Sequence, residues 1–174
     1  MASLRLLLSR EEIERQVEEL AAQIRRDYAG DMPIFLGVLK GAFIFLADLS
    51  RRMDRSPEID FILLSSYGPL AASSGQVKVL LEPRAELKGR DVLIVEDIID
   101  SGLCLEVIRD YVARRQPARL RVCALLARQR LLDEGLRLDY LGFPVGDGFL
   151  VGYGLDCREE HRTLPDVYVL EEEP

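Results

Sequence analysis

The sequence predicts an α/β fold, a mainly parallel twisted sheet flanked by helices, with a small hood subdomain assembled from the chain ends. Two observations predict it. Apolar runs of strand length alternate with segments of helical periodicity along most of the chain. Strands that alternate with helices imply right-handed crossovers and parallel pairing. The strand runs are also nearly continuous in apolar residues, as expected where both faces of a sheet are covered.

Each element has its own signal. The opening "MASLRLLLSR" carries a short apolar run that turns acidic, without the length or cleavage pattern of a secretory signal. Ser9 and Glu12 have capping-box spacing, and Ile13, Val17, Leu20, Ile24 and Tyr28 recur at helical intervals up to Gly30. "PIFLGVLKG" reads as a strand ending in a tight turn at Lys40-Gly41, and "AFIFLADLSRRM" as the helix after it. "IDFILLSSYG" is a second strand; it runs into "PLAASSGQ", whose small, turn-forming residues suggest a mobile surface loop, and "VKVLLEP" resumes strand character. "KGRDVLIVEDIIDSG" is turn, buried strand and acidic end, "LCLEVIRDYVARR" a helix stopped before Pro117, and "RLRVCALLA" the next strand. "LDYLGF", "GFLVGYGL" and "DVYVLEE" are shorter strands separated by Gly and Pro.

No repeat, low-complexity tract or linker interrupts this pattern, so residues 1–174 are expected to form one domain. A chain of that length buries roughly 70% of its unfolded surface without a metal or disulfide staple. A hydrophobic fraction of 48% with 30% charged residues, and no run approaching a membrane span, predicts a soluble, cytoplasmic protein with no membrane partner. The net charge of −7 argues against a large nucleic-acid footprint, so any bound anion is expected to be held locally. Cys104, Cys123 and Cys157 are odd in number and widely spaced, and read as reduced thiols.

The chemistry concentrates in "VLIVEDIIDSGLCL", where a buried-looking strand stops at Glu96 and Asp97 and a third acid, Asp100, follows. Asp100 or Ser101 as cap of the helix beginning near Gly102 contributes about 1 kcal/mol and accounts for one acid. Two carboxylates remain, and they repel more strongly in a cleft than in water unless a ligand compensates. A metal ion is one solution; a vicinal diol, whose hydroxyls donate to carboxylates, is another. The helix start just beyond offers free backbone N–H groups to a phosphate. Together these describe a ribose 5-phosphate pocket, although acids at the end of a parallel strand also serve phosphoryl-transfer and receiver domains.

"VLIVEDIIDSG" resembles the phosphoribosyl-diphosphate-binding signature of the type I phosphoribosyltransferases, and the chain from about Ile13 to Leu170 resembles their hypoxanthine-guanine branch. "LKG" at Leu39 to Gly41, "SSYG" at Ser65 to Gly68 and "FLVGYGLDCREEHRTLP" at Phe149 to Pro165 follow in that family's order. The resemblance implies Mg²⁺-dependent transfer of a 5-phosphoribosyl group from phosphoribosyl diphosphate to a 6-oxopurine, by a homo-oligomer, dimer or tetramer. It implies that Glu96 and Asp97 hold the ribose hydroxyls, that Asp100 is the general base at the purine N7, and that Ser101, Gly102, Leu103 and Cys104 wrap the 5-phosphate. Leu39, Lys40 and Gly41 would form the pyrophosphate loop, with a cis peptide between Leu39 and Lys40. Ser66 and Tyr67 would belong to a loop that closes over the site, which excludes water. Phe149 would stack on the purine, the backbone of Leu150 would read its edge, and Arg162 would contact pyrophosphate. The resemblance places Mg²⁺ near Glu96, Asp97 and Asp156.

Two positions depart from the family. Cys104 stands where threonine is common, and a thiol is the weaker donor to phosphate. Arg128 stands where a lysine usually donates to the purine 6-oxo group; arginine remains a cationic donor but is longer and planar, and a local shift would give Arg130 that place. A xanthine-preferring transferase, and a phosphoribosyl-diphosphate-sensing regulator of the same fold, are the alternatives. His161, the only histidine, reads as a surface residue.

Overall fold

The computed structural model describes residues 3–66 and 77–171. Strand β1 (Ser3–Leu8) leads into helix α1 (Arg10–Asp27). The predicted capping box forms: Glu12 N–H donates to Ser9 Oγ at 3.3 Å and Ser9 N–H to the Glu12 carboxylate at 2.8 Å. The helical stripe Ile13, Val17, Leu20 and Ile24 is fully buried.

Strand β2 (Ile34–Leu39) and helix α2 (Phe43–Ser50) follow, then strands β3 (Ile59–Ser66), β4 (Val77–Leu81) and β5 (Asp91–Ile99). Helix α3 (Leu103–Ala113), strand β6 (Arg119–Arg128), helix α4 (Gln129–Asp133) and strands β7 (Tyr140–Val145), β8 (Phe149–Val151) and β9 (Val167–Glu171) complete the order.

Six strands form one sheet in the order β4-β3-β2-β5-β6-β7. All its pairs are parallel except β3 with β4, an antiparallel hairpin edge. The apolar runs are explained by the pleat, which sends alternate side chains to opposite faces. Phe35, Leu93 and Val95 join the core beneath α1 and α2, while Ile34, Leu36, Val92 and Ile94 join the one beneath α3. Both faces are dry, so polar alternation is absent from β2 and β5.

The expected hood is a three-stranded antiparallel sheet, β1-β9-β8, built from both chain ends. Its strand β1 coincides with the opening apolar run, which had no periodicity of its own to mark it as a strand. Hood residues Leu150, Val167 and Val169 share the α1/α2 core. Tyr153 also donates its hydroxyl to Asp48 Oδ2 on α2 at 2.6 Å. The short α4 was likewise not foreseen. Among the described residues no helix is long and apolar enough to cross a membrane.

Candidate active site

Ligands of parallel α/β sheets lie beyond the carboxyl ends of the strands. Here β2 ends in Leu39, β5 runs through Glu96 and Asp97, and β6 ends in Arg128. The peptide between Leu39 and Lys40 is cis, as the resemblance implied.

Glu96 and Asp97 are buried side by side, 8% and 7% exposed. Burial, and then the neighbouring Asp97 charge, push the Glu96 carboxyl well above its usual range. Burial raises Asp97 as well, against hydrogen bonds that favour its charged form. Glu96 Oε2 is buried without a hydrogen-bond partner. A buried oxygen in that state is costly unless a ligand's hydroxyl or a cation meets it.

Asp97 dictates its neighbour. A Cβ on Gly41 would stand 1.9 Å from Asp97 Oδ2, so only glycine lets the turn after β2 pass the carboxylate. On its other side, a Cβ on Gly154 would meet the Gly41 carbonyl oxygen at 2.1 Å, and Gly154 has φ of +102°. The hood therefore touches the Lys40-Gly41 turn backbone to backbone.

A cavity of about 290 Å³ opens between sheet and hood. Lys40, Gly41 and Arg162 line it with Asp97, Asp100, Arg128, Asp156, Phe149 and Leu150, so the sequence-predicted base and pyrophosphate contacts share one space. Ile98 and Leu155 also line it and were not anticipated. Phe149 is 53% exposed, which sets it at the cavity wall instead of in the core where strand aromatics usually pack. Leu39 lies at the end of β2 and outside this lining.

Arg128 is buried, and its Nε donates to Asp100 Oδ1 at 2.6 Å. Its Nη1 and Nη2 donate to the carbonyls of Gly146 and Gly148, the latter at 2.8 Å. Arg130 is half exposed and donates instead to the Asp100 carbonyl at 2.8 Å. The cavity position thus belongs to Arg128.

A smaller pocket of about 130 Å³ adjoins, lined by Glu96, Asp97, Asp100, Ser101, Gly102 and Cys104 among others. Gly102, at φ +83°, turns the chain into α3, whose first-turn residues Cys104 and Leu105 line the pocket. Leu103 N–H donates to Ser101 Oγ at 3.4 Å, and the Leu103 side chain is half exposed outside the pocket. Burial, then the charges of Asp97 and Asp100, push the Cys104 thiol up. Ser66 ends β3, with only its backbone described, and Tyr67 lies outside the described residues.

Glu159 escaped the sequence reading. Its carboxylate accepts from Lys40 Nζ at 2.8 Å and from Arg162 Nη2 at 3.3 Å. Arg162 also pairs with Asp156 Oδ1 at 2.8 Å and donates to the Gly154 carbonyl at 2.8 Å. Asp156, expected near a metal, further accepts the Glu159 N–H at 2.8 Å. In "DCREEHR" the resemblance gives roles to Asp156 and Arg162 alone; the one local signal for Glu159 is its three-residue step to Arg162.

A parallel sheet whose central strand ends in buried acids before a glycine-led helix start, roofed by a small antiparallel hood, is the type I phosphoribosyltransferase architecture. The family model of the phosphoribosyl transferase domain matches residues 6–158, and the chain belongs to that family. It is 44% identical over 170 residues to the hypoxanthine-guanine phosphoribosyltransferase of Aquifex aeolicus, covering 97% of this chain and 96% of that protein. It is 42% identical over 166 residues to the Bacillus subtilis enzyme of the same name, covering 95% and 92%. A solved hypoxanthine-guanine phosphoribosyltransferase of Bacillus anthracis, with HEPES in its active site, superposes with a TM-score of 0.89 at 40% identity, over 96% of this chain and 99% of that one. The resemblance read from the sequence is borne out.

Proposed function

We propose that the chain acts as one phosphoribosyltransferase unit of purine salvage. It transfers the 5-phosphoribosyl group of phosphoribosyl diphosphate to a 6-oxopurine, hypoxanthine or guanine, and releases IMP or GMP with pyrophosphate. The carrying observation is the convergence at one cavity of Asp97, Asp100, Arg128, Phe149, Lys40 and Arg162, with the phosphate-sized pocket of Ser101, Gly102 and Cys104 alongside.

Departure of pyrophosphate leaves oxocarbenium-like charge on the ribose. Glu96 and Asp97 hold the ribose hydroxyls, and their carboxylates suit that charge. Asp100 accepts the N7 proton as the purine attacks, and its exposed carboxylate on the cavity wall can reach a bound base. Phe149 stacks on the base, the Leu150 backbone reads its edge, and Arg128 donates to the 6-oxo group. N–H groups from Ser101 to Cys104 hold the 5-phosphate. Leu39, Lys40 and Gly41 with Arg162 hold pyrophosphate, whose paired anionic oxygens suit the planar fork of an arginine. Ser66 and Tyr67 close the site.

The residues present fit Mg²⁺. Glu96 Oε2 is orphaned beside Asp97, and among the described residues no three side chains form a cage. That suits an ion which is held largely by substrate oxygens and water. Glu96, Asp97 and Asp156 would stand on its protein side, and the bound ion would neutralise the departing oxygens. The cytoplasm as its place, and a dimer or tetramer as its assembly, complete the reading. Three unpaired cysteines accord with a reducing compartment; light scattering at micromolar concentration returning a monomer mass would count against the assembly.

The test is pyrophosphate release from phosphoribosyl diphosphate and Mg²⁺ with hypoxanthine, guanine, xanthine, adenine or uracil. Release with hypoxanthine or guanine, and little with adenine or uracil, is expected. Release confined to xanthine, or none while the donor still binds, would refute the proposal.

A further inference from the structure

We infer that Arg128 is a positioning residue for the general base, clamping Asp100 to the turn that carries Phe149. The inference rests on the transferase reading and concerns what this arginine adds to a contact with the purine 6-oxo group.

The guanidinium has five N–H donors on three nitrogens. Nε meets the Asp100 carboxylate, Nη1 the Gly146 carbonyl and Nη2 the Gly148 carbonyl. Arg128 ends β6 in register with Val145 of β7, and its neighbour Ala127 pairs with Ile99 of β5. One side chain therefore joins the end of the acid-bearing strand to the Gly146–Gly148 turn, immediately before Phe149. Arg130 holds Asp100 a second time, at its carbonyl, so the residue is gripped at both side chain and backbone.

Arg128 is 8% exposed while the Asp100 side chain is 61% exposed. The buried partner thus fixes the exposed one, and the carboxylate enters the cavity already oriented. A lysine has its donors on a single nitrogen, which cannot stand at three separated places. It can meet Asp100 or a 6-oxo group but leaves carbonyls of the turn unpaired. Two guanidinium N–H groups remain for the base.

Arg128→Lys in the full chain tests this with two readouts. One is steady-state kinetics with hypoxanthine and phosphoribosyl diphosphate; the other is amide hydrogen exchange across Gly146–Phe149 without ligand. A misplaced catalytic group costs up to about a hundredfold, so kcat is expected to fall about ten- to a hundredfold while KM for phosphoribosyl diphosphate stays within about twofold. Exchange at Gly148 and Phe149 is expected to accelerate. A kcat within about twofold of the parent, with only KM for hypoxanthine changed, would overturn the inference and leave a simple base contact. Unchanged exchange would overturn it equally. Should Arg128→Lys not fold, Arg128→Gln, which keeps a neutral donor, is judged by the same two criteria. A parent enzyme silent with every base refutes the transferase reading separately, and the exchange measurement then decides the clamp.

Discussion

Lys40 Nζ donates to Glu159 Oε1 at 2.8 Å, joining two residues 119 positions apart. With Arg162 on its other side, Glu159 occupies cations that the proposed reaction needs for pyrophosphate. Donor binding must break these contacts. Exposed ion pairs are weak, so Glu159→Gln should lower KM for phosphoribosyl diphosphate only modestly, by about two- to fivefold. An unchanged or higher KM in initial-rate assays would show that the bridge does not compete with the donor.

Asp100→Asn keeps the size of the side chain and an acceptor for Arg128, but loses proton affinity. The folded state and donor binding should persist while kcat falls by about two to four orders of magnitude. Thermal melting and equilibrium binding check the first statement, single-turnover kinetics the second. Unchanged turnover would remove Asp100 from the general-base role.

Cys104 lines the phosphate-sized pocket with a thiol, a weak hydrogen-bond donor. Cys104→Thr supplies a hydroxyl of similar size that donates better. One added hydrogen bond contributes about 0.5–1.5 kcal/mol, so KM for phosphoribosyl diphosphate should drop by about two- to tenfold with kcat little altered. Isothermal titration with the donor gives the same comparison without turnover.

Gly41 and Gly154 fail on substitution for different reasons. Gly41→Ala drives a methyl into the Asp97 carboxylate, so activity should fall sharply as Asp97 moves. Gly154→Ala combines φ of +102° with a 2.1 Å approach to the Gly41 carbonyl, and a cost of about 2–3 kcal/mol is expected in urea unfolding. A midpoint equal to that of the parent would show that the hood can lift from the turn without loss.

Asp27 carries a pH dependence of stability. The Tyr140 hydroxyl at 2.7 Å, and then Arg121, hold its carboxyl below the ordinary value. A depressed carboxylate contributes stability that is present above the unfolded pKa and lost as pH falls through the folded one. Asp27 is 45% exposed, so solvent screening limits the contribution to under about 1 kcal/mol. Asp27→Asn should be less stable by that much at pH 7, and the gap should close in denaturant titrations as pH falls through the depressed folded pKa of Asp27.

The sequence by itself determined what short-range physics controls. The Ser9 and Glu12 capping box, the stripe from Ile13 to Ile24, the apolar runs of β2 and β5, and the Glu96, Asp97 and Asp100 cluster beside Gly102 all lie within a few residues of their partners. Periodicity, caps and acid spacing express them directly. The tertiary structure decided the rest. Strand β1 became a strand only because β9, at the far end of the chain, offered its hydrogen-bonding edge. Glu159 meets Lys40 only because the hood folds over the turn after β2, and Arg128 became a clamp only where β5, β6 and the Gly146–Gly148 turn meet. Partners in these contacts are separated by 18 residues or more, and each contact forms through packing that local spacing does not encode.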